Sequence, residues 1–402
     1  MYNNFSEDLF SCSHQKSLHE IKIKHIAEGR DLVDLSMINP DMQPERILLD
    51  KLLEATVKNT NHRYSVSKGI KRLRAAFAHK YSTAFSVNLN HDKNICITMG
   101  SKDAIVNTML VLSAEYKYAL LPSPTYPALL SAVHLAGMQP VYYDICLSED
   151  LILKEIEEKI KKVGKAVLVL NFPNNPSGKT VTADFYMGLK KILKGSDTVV
   201  LNDFVYGEMG FDGSRQTSLL SIFAEHPLLL ESYSLSKAYS IPGWRVGAVM
   251  GNASFIEKLA NLKSHMDYGV FLPLQIAACT ALQDNVIADN TAQKYWRRYR
   301  LLESNIKKLG WRVRGAEAGA ALWAELPDSL MQKYKTSMNF CLSLLSQKGI
   351  LLSPGIIFGQ TYNNYVRIAL VASEEKLFEV SEELADFISA GLRTEAEDLD
   401  AA

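Results

Sequence analysis

The chain has 402 residues, 44 Lys and Arg against 44 Asp and Glu, and 47% hydrophobic residues, so it can bury a sizeable core and carries no formal net charge. Balanced charge without a polybasic run excludes nucleic acid and an anionic membrane surface as natural partners and points to small metabolites. No apolar stretch reaches about 18 residues, the start lacks the pattern of a signal peptide, and the five cysteines show neither zinc nor disulfide spacing, so a reduced, cytosolic protein without a metal is expected.

The length exceeds what one core usually supports, and two lobes are expected. Residues 1–44 hold one polar helix, about 15 to 29, and no core of their own; this segment is expected to join the smaller lobe or a partner subunit. Tyr64 precedes a helix beginning near Ile70. Between about 95 and 255, β-rich runs at 95–99, 118–121, 140–143, 166–170, 198–202, 228–233 and 245–250 alternate with amphipathic stretches. That rhythm predicts an α/β sheet, mostly parallel, in a large domain over 45–285. The runs at 166–170 and 198–202 are almost wholly apolar, as strands covered by helices on both faces should be. From about 286 a charged helix leads to strands at 311–314, 321–325 and 365–370, which define a smaller α+β domain over 286–402. The acidic tail from Glu395 is expected to be disordered.

The chemistry centres on Lys237, in Ser-Leu-Ser-Lys-Ala-Tyr-Ser-Ile-Pro-Gly-Trp-Arg-Val-Gly, residues 234 to 247. A lysine attacks an aldehyde only as its neutral amine, which nearby cations or a dry pocket make accessible. Ser234, Ser236 and Arg245 match phosphate oxygens, and Gly243 and Gly247 allow close backbone approach. A reactive lysine beside an anion seat suggests pyridoxal 5'-phosphate, an aldehyde carrying a phosphate; taken alone, the run also reads as a basic surface turn.

Asp203 follows the buried run at 198–202, at a carboxyl end where open α/β sheets bind ligands. Such a carboxylate can keep a pyridine nitrogen protonated, and Tyr206, three residues on, can donate to a ring oxygen; an ordinary strand-terminal Asp with a packed Tyr is the alternative. Asn175 lies in the turn-rich Asn171–Gly178 after the other apolar run and offers an amide to the same oxygen. The amides of Ser101 and Lys102 open a helix behind Gly100, a ready phosphate cradle. Tyr126 offers a flat face for stacking, or a core aromatic. Arg367 sits in an apolar run and needs an anion, either a substrate carboxylate or a structural acid. Tyr64 is a phosphate ligand or a residue capping the helix after it.

These pieces, in this order, resemble the class I/II aminotransferases of the fold type I pyridoxal-phosphate family, over about residues 30 to 390. The resemblance implies that Lys237 carries the cofactor and later shuttles the proton, that Asp203 pairs the pyridine nitrogen, that Asn175 and Tyr206 contact the ring oxygen, and that Tyr126 stacks. Phosphate would be held by Ser101, Lys102, Ser234, Ser236 and Arg245, with Tyr64 reaching in from the second subunit of a homodimer. Arg367, with Asn175, would bind the α-carboxylate. Within the family, residues 264–275, 353–359 and 36–41 are most similar to bacterial alanine (glutamate–pyruvate) aminotransferases. Those relatives generally carry glycine where this chain has Ile38, beside the substrate carboxylate.

The expected reaction is transfer of an amino group between an alanine- or glutamate-like amino acid and a 2-oxo acid. Ile38 keeps open a second reading, a lyase, cyclase, decarboxylase or oxidase on the same scaffold. A third, a ligand sensor without catalysis, is opposed by Lys237, Asp203 and Arg367.

Overall fold

The computed structural model describes residues 13–223, 228–283 and 285–400; Cys12 and the last two residues of the tail lie outside it. The strands, in chain order, are β1 (Val33–Asp34), β2 (Ile95–Thr98), β3 (Tyr118–Ser123), β4 (Gln139–Asp144), β5 (Ala166–Leu170), β6 (Val199–Asp203), β7 (Leu229–Ser234), β8 (Gly247–Gly251), β9 (Arg312–Val313), β10 (Ala321–Glu325), β11 (Ile350–Leu351), β12 (Ser353–Pro354) and β13 (Tyr365–Ala369). A seven-stranded sheet has the order β2-β8-β7-β6-β5-β3-β4. Strand β8 runs antiparallel to β2 and β7, and the other neighbours pair in parallel.

Strand alternation builds the core on both faces of this sheet. Ala166, Leu168, Leu170 and Val200 enter one apolar cluster, while Val167, Val169, Val199 and Leu201 enter another on the opposite side. The second cluster is closed by the helices Gly100–Leu112, Pro127–Leu135 and Ala253–Met266. Helices Lys71–Phe85, Glu149–Val163 and Ala183–Leu193 cover the first. The helix Glu149–Val163 shows how such an element is written: Ile152, Ile156 and Ile160 form its buried stripe, acids open it, lysines close it, and Gly164 at φ 73° ends it. Truncating Ile156 to Ala would leave a hole costing about 2–5 kcal/mol.

A four-stranded antiparallel sheet, β12-β13-β10-β9, follows the long helix Val286–Lys308. Residues 33–41 of the N-terminal segment dock against this part of the molecule. Strand β1 pairs in parallel with β11, matching Val33 to Ile350, and Leu35 is buried. Two expectations need correction. The strand expected to start at Arg245 starts at Gly247, because Arg245 follows a tight turn at Pro242–Trp244 and adopts φ 55°, outside any strand geometry. The tail expected to be disordered continues the helix Glu374–Asp400. Its Glu, Ala and Leu are good helix formers, and acidity alone does not stop a helix already running.

Candidate functional site

The sheet register gathers the candidate residues at one end. Leu170 pairs with Asn202 and Asp203 with Ser232, so the chain leaving β5, β6 and β7 emerges side by side. Gly247, first residue of the antiparallel β8, lies between Thr98 and Ser234, so the segment entering β8 meets the same end. Asn175, Asp203, Tyr206, Lys237, Arg245 and the turn at Gly100 are thereby brought together.

Asp203 is 4% exposed, and its Oδ1 has no hydrogen-bond partner among the described residues. Asn171 donates its amide to the Asp203 carbonyl at 3.2 Å and to Oδ2 at 3.4 Å. Burial pushes the carboxyl up to about 7. A buried carboxylate with one oxygen unpaired is a socket for a cationic N–H donor, and such a donor would restore the charged form. Tyr206 is also buried; burial drives its phenol far above the usual range, so it stays a donor at neutral pH.

Lys237 lies in a largely dry setting, and burial, then Arg367, Arg245 and Lys102, bring its amine down to about 8. At neutral pH a usable fraction is therefore nucleophilic. Its Nζ donates to the main-chain carbonyl of Ile38. The Ile38 side chain lines a cleft of about 180 Å³ with Asn174, Asn175, Pro176, Tyr206 and residues 318–321.

Around the corner, Arg245 donates from Nη1 to the Pro242 carbonyl at 3.1 Å and from Nη2 to the Met99 carbonyl at 3.0 Å. Gly100 has φ 75°, a conformation that favours glycine, and a Cβ there would sit 2.5 Å from Arg245 Nη2 and displace the guanidinium. The hydroxyls of Ser234 and Ser236 are 2.9 Å apart, Ser101 is half-buried at the start of its helix, and Lys102 is exposed. Arginine, hydroxyls and open helix amides form a donor set suited to a phosphate. Tyr126 is half-buried before the helix Pro127–Leu135. Tyr64 is 85% exposed and packs at a tilt of 37° against Tyr268, with ring centroids 4.5 Å apart.

Arg367 is buried on β13 and held between the two parts of the molecule. It donates to Asn175 Oδ1 at 2.9 Å, to Ser353 Oγ at 3.1 Å and to the Ser36 carbonyl, while Phe358 covers it at 4.9 Å from the ring centre. Its acceptors are a side-chain amide, a hydroxyl and a carbonyl, all neutral, and its Nε has no partner among the described residues. Among the described residues no acid is hydrogen-bonded to it, which favours a carboxylate from outside. With Asn175 Oδ1 turned to Arg367, the Asn175 amide nitrogen remains to donate elsewhere. The segment 36–38 is fixed by Ser353 Oγ to the Ser36 carbonyl, 2.6 Å, by Asp34 to Ser36, and by Asp41 paired at 2.7 and 2.8 Å with Arg298.

Sequence reasoning missed Asn171, Ser36 and Ser353. Asn171 opens the turn-rich run and adjoins Asp203's strand, so its position was a usable signal. Ser36 acts through its carbonyl, which any residue supplies.

The unpaired Asp203 oxygen, the lowered Lys237 amine and the donor set around Gly100 fit an aldehyde bearing a ring nitrogen and a phosphate, as pyridoxal phosphate does. Comparison with known proteins agrees. The family model for aminotransferase class I and II matches residues 30–384. The chain is 30% identical to the glutamate-pyruvate aminotransferase AlaC of Escherichia coli, over 89% of this chain and 87% of that one. It is 31% identical to the LL-diaminopimelate aminotransferase of Natranaerobius thermophilus, over 96% and 98% of the two. A solved aminotransferase structure from Staphylococcus aureus superposes with a TM-score of 0.82 at 29% identity, covering 89% of this chain and 93% of that one.

Proposed function

The chain belongs to the class I and II aminotransferases, a pyridoxal-phosphate-dependent family, and from that premise we propose which residues run its amino transfer and on what. The donor is an alanine- or glutamate-like amino acid and the acceptor a 2-oxo acid; the likeness to AlaC and the motifs at 36–41 and 264–275 support this choice. The division into an N-terminal segment at 1–44, a large domain at 45–285 and a small one at 286–402 belongs to the same reading.

When bound, pyridoxal phosphate supplies an aldehyde for the amine and a cationic ring that accepts electrons. Lys237 holds the cofactor and, once released, takes the α-proton of the substrate and later returns a proton; an amine lowered to about 8 suits that exchange near neutral pH. Asp203 would keep the ring nitrogen protonated, Tyr206 and the Asn175 amide would donate to the ring oxygen, and Tyr126 would offer its flat face to the ring. Ser101, the Lys102 backbone, Ser234, Ser236 and Arg245 hold the phosphate. Arg367 and Asn175 clamp the α-carboxylate, which orients the Cα–H bond and selects deprotonation over loss of the carboxyl group. Ile38 borders this seat.

Tyr64 completes the phosphate site of a partner subunit in a homodimer with shared active sites. Its support is the exposure of the large apolar side chains Ile47, Leu53, Val57, Tyr64, Tyr268 and Phe271, on segments around Tyr64 and Tyr268. The cytoplasm is the proposed location; no described helix is long and apolar enough to cross a membrane.

The observation that carries the site reading is the buried, half-unpaired Asp203 at the sheet end shared with a lowered lysine. The test is Lys237→Ala, expected to abolish both the visible absorbance of the lysine-bound cofactor and turnover; retained turnover would sink the reading. With donor alone, the parent should release one equivalent of 2-oxo acid per site and stop. Continued release without an acceptor would mark a lyase or oxidase.

A further inference from the structure

Lys263 is fully buried near the end of the helix Ala253–Met266, although a long cation is normally found at the surface. Its Nζ lies 3.0 Å from Asp103 Oδ2 and 2.7 Å from Asp267 Oδ2. Each acid then holds a different piece of backbone. Asp103 Oδ2 accepts the Met99 amide at 2.8 Å, and Asp103 Oδ1 accepts from Asn107 at 2.7 Å. Asp267 Oδ1 accepts the Gly269 amide at 2.6 Å, and the Asp267 carbonyl accepts from Ser67 Oγ at 2.9 Å.

The two branches end on the two elements assigned to phosphate. Met99 is clamped at both ends, its amide by Asp103 and its carbonyl by Arg245, which fixes the turn into Gly100-Ser101-Lys102. The other branch fixes the approach of 267–269 to 64–69, where the Tyr268 ring packs at a tilt on Tyr64 and a Cβ on Gly269 would meet the Val66 carbonyl at 2.4 Å. Charge matters as much as shape. Asp103 lies in the first turn of the very helix whose amides face the phosphate seat. Two carboxylates and one ammonium leave a single net negative charge; without the ammonium two negative charges would face an incoming dianion.

We propose that Lys263 is a positioning residue for the cofactor's phosphate, neutralising Asp103 and Asp267 while tying the Gly100 turn to the Tyr64 ledge. The inference rests on the assignment of the phosphate to the Gly100–Arg245 corner. It makes a distinction that a purely structural lysine would not: the effect must depend on the phosphate. Apoprotein is titrated with pyridoxal phosphate and, separately, with pyridoxal, which lacks the phosphate, following visible absorbance. Lys263→Met is expected to weaken pyridoxal phosphate at least about tenfold and to leave pyridoxal within about twofold. Lys263→Gln, which can still bridge the acids, keeps the test open should the Met variant fail to fold, and the same selectivity is expected of it. Equal weakening of both ligands, or no weakening of either, overturns the proposal. Arg245→Ala separates the two readings: if it too fails to discriminate between the ligands, the phosphate seat itself is misplaced, whereas a discriminating Arg245→Ala beside an indifferent Lys263 variant rejects the positioning role alone.

Discussion

The end of the large sheet and the seat around Arg367 meet in one site but are built on opposite plans. At the sheet end the groups come from loops after adjacent strands, and register alone aligns them. One of them, Asp203 Oδ1, is left with an unmet need. The Arg367 seat joins Ser36, Ser353 and Arg367 across sequence separations of 317 and 331 residues, and its terminal nitrogens are met by neutral oxygens while its Nε has no partner among the described residues. A carbonyl is a weaker partner for a guanidinium than a carboxylate is, so an incoming substrate can displace it at a profit in free energy. The first region is poised to acquire a cation, the second to exchange one acceptor for a better one.

The strongest way to break this comparison is Arg367→Met. It is expected to lower kcat/KM for the amino donor by about a thousandfold, the loss of a buried bidentate anion clamp, while the visible absorbance of the bound cofactor persists. Loss of the absorbance as well would mean that the two regions are a single unit.

Next comes Lys237→Met in the cofactor-free protein. The folded-state amine titrates at about 8, below its ordinary 10.5, so the buried ammonium destabilises the fold below pH 8 and the cost fades as pH rises to 10.5. The variant should be more stable at pH 7 by up to roughly 3 kcal/mol, read from denaturant or thermal melts, with the advantage gone near pH 10.5. An equal gain at both pH values would assign it to packing. The smallest expected effect is Ile38→Gly, a several-fold rise in turnover with alanine or glutamate, worth about 1 kcal/mol. Unchanged kinetics would make the side chain neutral and leave only its carbonyl with a role.

The same contrast explains what could be read from the residues. Apolar runs such as 166–170, with turn-rich or acidic residues at their ends, announce both a buried strand and what stands at its carboxyl end, so Asn175, Asp203 and Lys237 were legible. Ser36 meets Arg367 through its main-chain carbonyl, which has no residue signature; Ile38 was legible as a side chain in an unusual place, but its carbonyl contact with Lys237 was not. Lys263 was hidden for another reason: in an amphipathic stretch a lysine reads as part of the solvated face, and only the fold places two carboxylates against it. Arg245 looked like a strand residue because it leads into the apolar run of β8; the tight turn at Pro242–Trp244 and its left-handed φ place it outside the strand.

The Asp41–Arg298 pair and the β1–β11 pairing fasten the segment 33–41 at both ends to the part of the molecule that carries Arg367. Ile38, whose carbonyl meets Lys237, therefore lies in a stretch tied on both sides to the elements that surround Arg367. The proposed cofactor lysine and the proposed carboxylate arginine are thereby referred to one short stretch of main chain, Lys237 through the Ile38 carbonyl and Arg367 through the Ser36 carbonyl.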